Sequence, residues 1–292
     1  RYEFDLRLST KSFNADLLYV IPHFFDKRTT AYVKGSHEFR EEITYDRTTT
    51  SILAGVSRRL SWPGMEVSLE YSLERQNARR ESADNFESND EVTVAGLTAE
   101  FTLDRRDSSL YPTSGYDFGI RSKTANTALA GEAEFQKLEV GTSYHRYLGK
   151  AFYLHLSLRY GLIISKDPTE ENLPFTERFF LGGETTVRGY NRGEAAPLDS
   201  EGLAIGAESY ALGNIELEQR ILSSLSVVLF WDGLAQDTVM DGFPGEEFLS
   251  SVGIGLRLRT PVGPVRLEYG YNLNPRPADP AGTLHLSVGY PF

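Results

Sequence analysis

The sequence predicts an all-β fold: a transmembrane antiparallel β-barrel, with about 14 strands visible along residues 1–292. Three observations predict it. Apolar and polar residues alternate with a period of two almost throughout, which places successive side chains on opposite faces of a strand. The connections alternate too, short at one end of the strands and long at the other. The last run, Leu284, Leu286, Val288, Tyr290 and Phe292, carries an unbroken apolar face to the final residue. Chain ends of soluble proteins usually fray into water, whereas the last strand of a barrel faces lipid.

Each element follows from this rule. Tyr2, Phe4, Leu6 and Leu8 oppose Glu3, Asp5 and Arg7 and define a strand over 1–9. Strands follow at 13–25, 29–41 and 47–60. In 64–78, Met65, Val67, Leu69, Tyr71 and Leu73 oppose Glu66, Ser68, Glu70, Ser72 and Glu74. The next are 91–103, 114–124 and 132–148. The phase slips in 91–103, between Val94 and Leu97, and again in 132–148; bulges would produce both slips. In 150–166, Phe152, Leu154, Leu156, Leu158, Tyr160, Leu162 and Ile164 share one face. Strands at 205–221, 224–233, 246–260, 263–273 and 282–292 complete the set. Tight turns hold 26–28, 62–64, 148–150, 223–224 and 261–263; longer connections cover 79–90, 167–204, 234–245 and 274–281. Short turns on one side and long loops on the other are the pattern of outer-membrane barrels, and parity puts the C-terminus on the short-turn, periplasmic side. A soluble sandwich or propeller is the alternative for many alternating strands. Its strands are shorter and need no such loop asymmetry.

Bulk composition is consistent with this reading. The mean hydropathy of -0.34 looks soluble, but polar lumen-facing residues offset lipid-facing ones in a barrel. No apolar run approaches the roughly 18 residues of a membrane-spanning helix. The 16 Tyr and 17 Phe suit aromatic girdles at the two interfaces. The absence of Cys fits an oxidising compartment. A net charge of -11 argues against a nucleic-acid partner. The five His, at 23, 37, 145, 155 and 285, have no metal-ligand spacing, and no nucleophile motif is present. No cofactor, metal or catalytic residue is therefore assigned, and the protein reads as a non-enzyme.

Most charges on the polar faces, among them Glu66, Glu70, Glu74, Glu268, Arg7, Arg159, Arg257, Arg259 and Arg266, read as a solvated lumen lining. Glu216 and Asp232 are singled out. By count against Ile215, Leu217, Leu229 and Trp231 both face the lumen. An arginine brought inside a barrel needs an anionic partner, and its planar fork suits a carboxylate.

The longest connection runs Arg178-Phe179-Phe180-Leu181-Gly182-Gly183-Glu184-Thr185-Thr186-Val187-Arg188-Gly189-Tyr190. It resembles the loop motif of the BamA/TamA superfamily of outer-membrane insertases and translocators. Asp104-Arg105-Arg106-Asp107 followed by Pro112-Thr113-Ser114-Gly115 is similar to that family's periplasmic turn. Leu229-Phe230-Trp231-Asp232-Gly233, Asn214-Ile215-Glu216 and Thr260-Pro261-Val262-Gly263-Pro264 match further family segments, and the loop sizes are closest to the TamA-like branch.

The resemblance implies several expectations. The loop folds back into the barrel. Arg188 reaches Glu216 and Asp232, with Gly182, Gly183, Val187, Gly189 and Tyr190 completing the motif. Asp104, Arg106, Asp107, Pro112 and Gly115 shape the turn, with Arg106 and Asp107 paired locally. Complete family barrels have 16 strands, so two strands and periplasmic POTRA repeats are expected upstream. The chain reads as a mature or trimmed piece. The closing strand, Leu284, Leu286, Val288, Gly289, Tyr290 and Phe292, is expected to form one side of a lateral gate.

The implied function is assembly of client outer-membrane or secreted proteins into or across the outer membrane. Partners would be outer-membrane lipids, clients, and periplasmic or inner-membrane accessory proteins. The rival is a passive channel, or a barrel anchor for a fused or partner domain.

Overall fold

A computed structural model of the chain describes residues 2–8, 12–41, 45–81, 87–165, 173–239, 243–260 and 263–288. Fourteen strands form one antiparallel sheet in sequence order. They are β1 (Tyr2–Leu8), β2 (Ser12–Pro22), β3 (Thr29–Glu41), β4 (Tyr45–Arg59), β5 (Met65–Glu81), β6 (Glu87–Asp104) and β7 (Gly115–Ala125). They continue with β8 (Phe135–Gly149), β9 (Phe152–Ser165), β10 (Ser209–Arg220), β11 (Leu225–Asp237), β12 (Glu247–Thr260), β13 (Gly263–Asn272) and β14 (Gly282–Val288). Every strand expected from the alternation is present. No helix among the described residues is long and apolar enough to cross a membrane.

The two faces separate as the period of two requires. Leu17, Ile52, Leu69, Leu158, Leu229, Ile254 and Leu286 stand exposed on the outer face, where lipid covers them. Their neighbours in sequence turn inward. Along β11, Val228, Phe230, Asp232, Leu234 and Gln236 are all buried. The dry core is therefore inside the sheet's curve, between the lumen wall and a loop that enters it. Residues 173–208, linking β9 to β10, contribute Leu173, Phe179, Leu181, Val187, Tyr190, Ala195 and Ala207 to that core. The wall contributes Val94, Phe135, Ile163, Leu212, Leu234 and Leu249.

This buried loop explains where the alternation breaks. The slip between Val94 and Leu97 is not a bulge: pairing runs unbroken from Glu74↔Val94 to Tyr71↔Leu97. Val94 faces the lumen, fully buried beneath the loop, and Leu97 faces outward, 40% exposed. Phe135 is a second lumen-facing apolar residue for the same reason. In β8 the one register irregularity falls at its end, between Tyr147 and Gly149. Residues 79–81 and 87–90, expected as part of a loop, are strand, because β5 and β6 stay paired out to Glu81↔Glu87.

Candidate functional site

The loop crosses the lumen and is held at both walls. Its first anchor is a short 3-10 turn, Phe175–Glu177. Glu177 is buried and accepts hydrogen bonds from Gln76 Nε2 at 2.9 Å and Lys123 Nζ at 2.8 Å. Lys137 Nζ donates to its carbonyl at 2.7 Å. Phe175 and Phe180 stack edge-wise and tilted around Tyr45, with centroids 5.0 and 5.4 Å from it. These partners belong to β4, β5, β7 and β8.

The chain then reverses. Gly182 and Gly183 take φ of +122° and +103°, a region glycine enters without a Cβ penalty. A Cβ at Gly182 would lie 2.4 Å from the carbonyl of Asn191, so the turn also needs the empty space. Thr186 Oγ1 accepts from the Gly182 N–H at 2.9 Å and closes the reversal.

Arg188 follows at the tip, 3% exposed. Its Nε and backbone N–H both donate to Asp232 Oδ2 at 3.0 Å, and Nη2 donates to Asp232 Oδ1 at 2.6 Å. Its Nη1 reaches Glu216 Oε1 at 2.5 Å and Glu268 Oε2 at 3.2 Å. The guanidinium lies over the Phe230 ring, 3.5 Å from its centroid. Arg257 forms the second cationic layer: it donates to both oxygens of Glu216, at 2.8 and 2.9 Å, and to Glu268 Oε1 at 2.8 Å. Two forks thus share three carboxylates on β10, β11 and β13. Bidentate pairing of this kind satisfies a buried guanidinium that would otherwise be costly.

The backbone at 188–189 docks on the last two strands. A Cβ on Gly270 would sit 2.3 Å from the Arg188 carbonyl oxygen, and one on Gly189 would overlap Asn272 Oδ1. Asn272 Nδ2 and Thr283 Oγ1 both donate to the Gly189 carbonyl at 2.9 Å. His285 Nε2 lies 3.0 Å from the Arg188 carbonyl oxygen. Tyr190 is fully buried and its hydroxyl donates to Asp279 Oδ2 at 2.9 Å, beside Arg276, which holds the carbonyls of Glu194 and Ala196.

The structure therefore brings Gly182, Gly183, Val187, Arg188, Gly189 and Tyr190 together with Glu216 and Asp232. Sequence reasoning missed Glu268 and Arg257, which it left among the solvated lining, and Glu177, Asn272, Thr283 and His285. Their lumen phase was readable; their cover was not. The turn at 105–114, between β6 and β7, differs in its pairing. Arg106, expected beside Asp107, forks onto Asp104 at 3.0 and 2.7 Å and approaches Asp117 at 3.5 Å. Asp107 instead accepts from the Thr113 hydroxyl, and from the N–H groups of Thr113 at 2.8 Å and Ser114 at 3.2 Å. Partial burial works to raise that carboxyl, but these donors outweigh it and hold it at about 2. Gly115, at φ +106°, closes the turn with a Cβ position 2.2 Å from the Arg105 carbonyl; Pro112 lies within the turn. Of the closing strand, Leu284, Leu286 and Val288 stand 64–70% exposed on the outer face. Gly289, Tyr290 and Phe292 lie outside the described residues.

A lipid-facing antiparallel sheet whose lumen holds its own loop, pinned by an arginine on the wall, defines a plugged outer-membrane barrel. Residues 1–292 match the family described as the Omp85 superfamily domain, and the chain belongs to that superfamily. It is 31% identical over 178 residues to the outer membrane protein assembly factor BamA of Nitratidesulfovibrio vulgaris, covering 60% of this chain and 22% of that protein. It is 26% identical to BamA of Neisseria meningitidis, over 67% of this chain and 28% of that one. It is 26% identical to the chloroplastic outer envelope protein 80 of rice, over 88% of this chain and 37% of the other. The chain thus spans well under half the length of these relatives. In fold it superposes on BamA from Haemophilus ducreyi lacking POTRA domains 1-3, with a TM-score of 0.84 at 15% identity over 98% of this chain and 63% of that one. The protein is an outer-membrane β-barrel.

Proposed function

We propose that the full-length protein is an assembly factor that helps nascent barrel or secreted proteins into or across the outer membrane through a seam beside β14. The observation that carries this reading is the docking of the Arg188–Gly189 backbone on β13 and β14 through Gly270, Asn272, Thr283 and His285. The loop supports the closing hairpin from inside, and in this reading the outer edge of β14 is the side that a client strand meets. A strand edge with unpaired backbone groups templates a client strand, and hydrogen bonding to it supplies the driving force without nucleotide. Membership of the Omp85 superfamily, with BamA among its relatives, supports the same reading.

In this reading Arg188 positions the seam, Glu216 and Asp232 hold Arg188, and the 104–115 turn orders the periplasmic rim. The strands and POTRA repeats expected upstream supply the other side of the seam and the contacts with clients and with periplasmic or inner-membrane accessory proteins. The test is a disulfide from residue 287 to the strand facing it in the full-length protein. The locked form stops client insertion in reconstituted vesicles, and reduction restores it. Full activity while locked removes the seam and favours a passive channel or an anchor.

A further inference from the structure

Linear spacing gives none of the five histidines a metal-ligand pattern, but the β8–β9 hairpin joins two of them. His145 and His155 stand directly opposite each other in the strand register. Their Nδ1 atoms lie 2.7 Å apart. The ring centroids are 5.0 Å apart and the planes are tilted by 59°, so the rings meet at their nitrogen edges instead of stacking. Both line a cavity of about 550 Å³ in the lumen.

The surroundings fix which nitrogens carry hydrogen. The Ser143 hydroxyl donates its single proton to the Asp117 carboxylate, so toward His145 Nε2, at 2.9 Å, it can only accept. His145 therefore carries its hydrogen on Nε2. His155 Nε2 faces Glu218 Oε2 at 3.6 Å, and a carboxylate likewise only accepts. With both hydrogens on Nε2, the two Nδ1 atoms turn lone pairs toward each other at 2.7 Å. That contact needs a cation between them. A ring whose far nitrogen is held by a carboxylate or another acceptor, and whose near nitrogen is bare, has the arrangement of a metal-ligating histidine. The guanidinium groups touching the two carboxylates are shared with other acids, Arg106 with Asp104 and Arg257 with Glu216 and Glu268, while Arg259 stands 3.8 Å from Glu218. The cavity wall carries both signs of charge, so the two imidazoles and not a net field supply the preference for a metal ion.

We propose that His145 and His155 are the two protein ligands of a divalent transition-metal ion of the zinc and copper class, held between their Nδ1 atoms. This does not depend on the assembly reading. Two Zn–N bonds of about 2.0–2.1 Å place their nitrogens roughly 3.3 Å apart in a tetrahedron, so the rings open by about half an ångström to admit the ion. No third His, Asp or Glu converges with them among the described residues, which leaves the other coordination positions to water. The ion takes the place of the proton that the two rings would otherwise share, and it ties β8 to β9. The test is calorimetric titration of the full-length protein, folded in detergent with any affinity tag removed, with zinc chloride at constant pH. The wild type binds one zinc ion at least about tenfold more tightly than His145→Gln or His155→Gln does, and Ser143→Ala, which frees the far nitrogen of His145, weakens binding by about 10–100-fold. His37→Gln, on the outer face, leaves it unchanged. With copper(II) as the probe, spin-echo modulation of the wild type shows two imidazoles on the metal, a readout that needs no variant should the glutamine forms fail to fold by heat-modifiability. Equal zinc affinity in the wild type and the folded variants, one imidazole or none on copper, or a proton between the rings that persists by nitrogen-15 NMR in excess zinc overturns the proposal.

Discussion

Two halves of one lumen wall use the same residue types and obtain different results. On the β2–β4 side, Lys34 meets Asp16 at 3.0 Å and Arg47 meets Glu38 at 3.4 Å, with side chains 12–31% exposed. On the β10–β13 side, Arg188, Asp232 and Glu268 are at most 3% exposed in a network of the same carboxylates and guanidinium groups. The strand geometry and alternation are alike; the difference is the loop. Where it covers the wall, water is excluded, each charge must be matched, and small residues such as Gly270 make room for backbone. Where it does not, ion pairs stay solvated and contribute about 0–1 kcal/mol. Lumen-facing charge is therefore not one category, and its cover decides whether it is lining or site.

The largest expected effect separates the halves directly. Arg188→Ala leaves Asp232 buried without its main partner and should cost about 3–5 kcal/mol of loop docking, because breaking a buried pair strands a charge. Lys34→Ala should change stability by less than about 1 kcal/mol. Hydrogen exchange of amides 182–190 reads the first, and denaturant unfolding in detergent reads both. Equal effects would erase the distinction.

The outer face should not distinguish the halves. Leu156→Arg on β9 and Leu17→Arg on β2 should each cost about 2–4 kcal/mol at midplane depth, since lipid covers both alike. Ser157→Arg, facing the lumen, should cost much less. Refolding yield and heat-modifiability on gels compare the three. Similar damage at 156 and 157 would contradict the assignment of faces.

A smaller effect tests the close approach. Gly270→Ala meets the Arg188 carbonyl at 2.3 Å, a backbone atom that cannot rotate away, and should displace the loop at about 1–3 kcal/mol. A Cβ at Gly35, which pairs with Leu17 and Ile52 on the outer face of the uncovered half, meets nothing within 4 Å, so Gly35→Ala should be near neutral. Unchanged amide protection at 182–190 in Gly270→Ala would refute the docking.

The smallest effect concerns the periplasmic turn. Asp107 has its carboxyl lowered to about 2 from the ordinary 3.8. A lowered value contributes stability that is complete above the ordinary carboxylate range and disappears as the pH falls through about 2. The turn should therefore keep its protease resistance at pH 4 and lose it only in stronger acid. Asp107→Asn should remove that dependence, and loss of resistance already at pH 4 in the wild type would contradict it.

The strands were legible because lipid imposes a period of two on every residue that spans it. The loop motif was legible because its glycines and its arginine sit in a fixed order. Three things were not. Val94, and the slip read within 132–148 where Phe135 turns inward, looked like phase errors, since apolar side chains facing a lumen make sense only beneath an inserted loop. Residues 79–81 and 87–90 looked like part of a loop because their sequence carries no apolar stripe, although β5 and β6 pair through them. Glu268, Arg257 and Glu177 looked like solvated lining because their burial is set by chain far away in sequence. In the first and last cases the missing information was tertiary cover, which no local pattern carries.

The central claim is that Arg188 and Asp232 hold the loop as a directly coupled pair. A double-mutant cycle with Arg188→Ala and Asp232→Asn, read by hydrogen exchange of amides 182–190 in the full-length protein, measures it. The structure predicts a coupling of at least about 1.5 kcal/mol, the lower range for close buried charge pairs. Additivity within about 0.3–0.5 kcal/mol, as for independent sites, would contradict it.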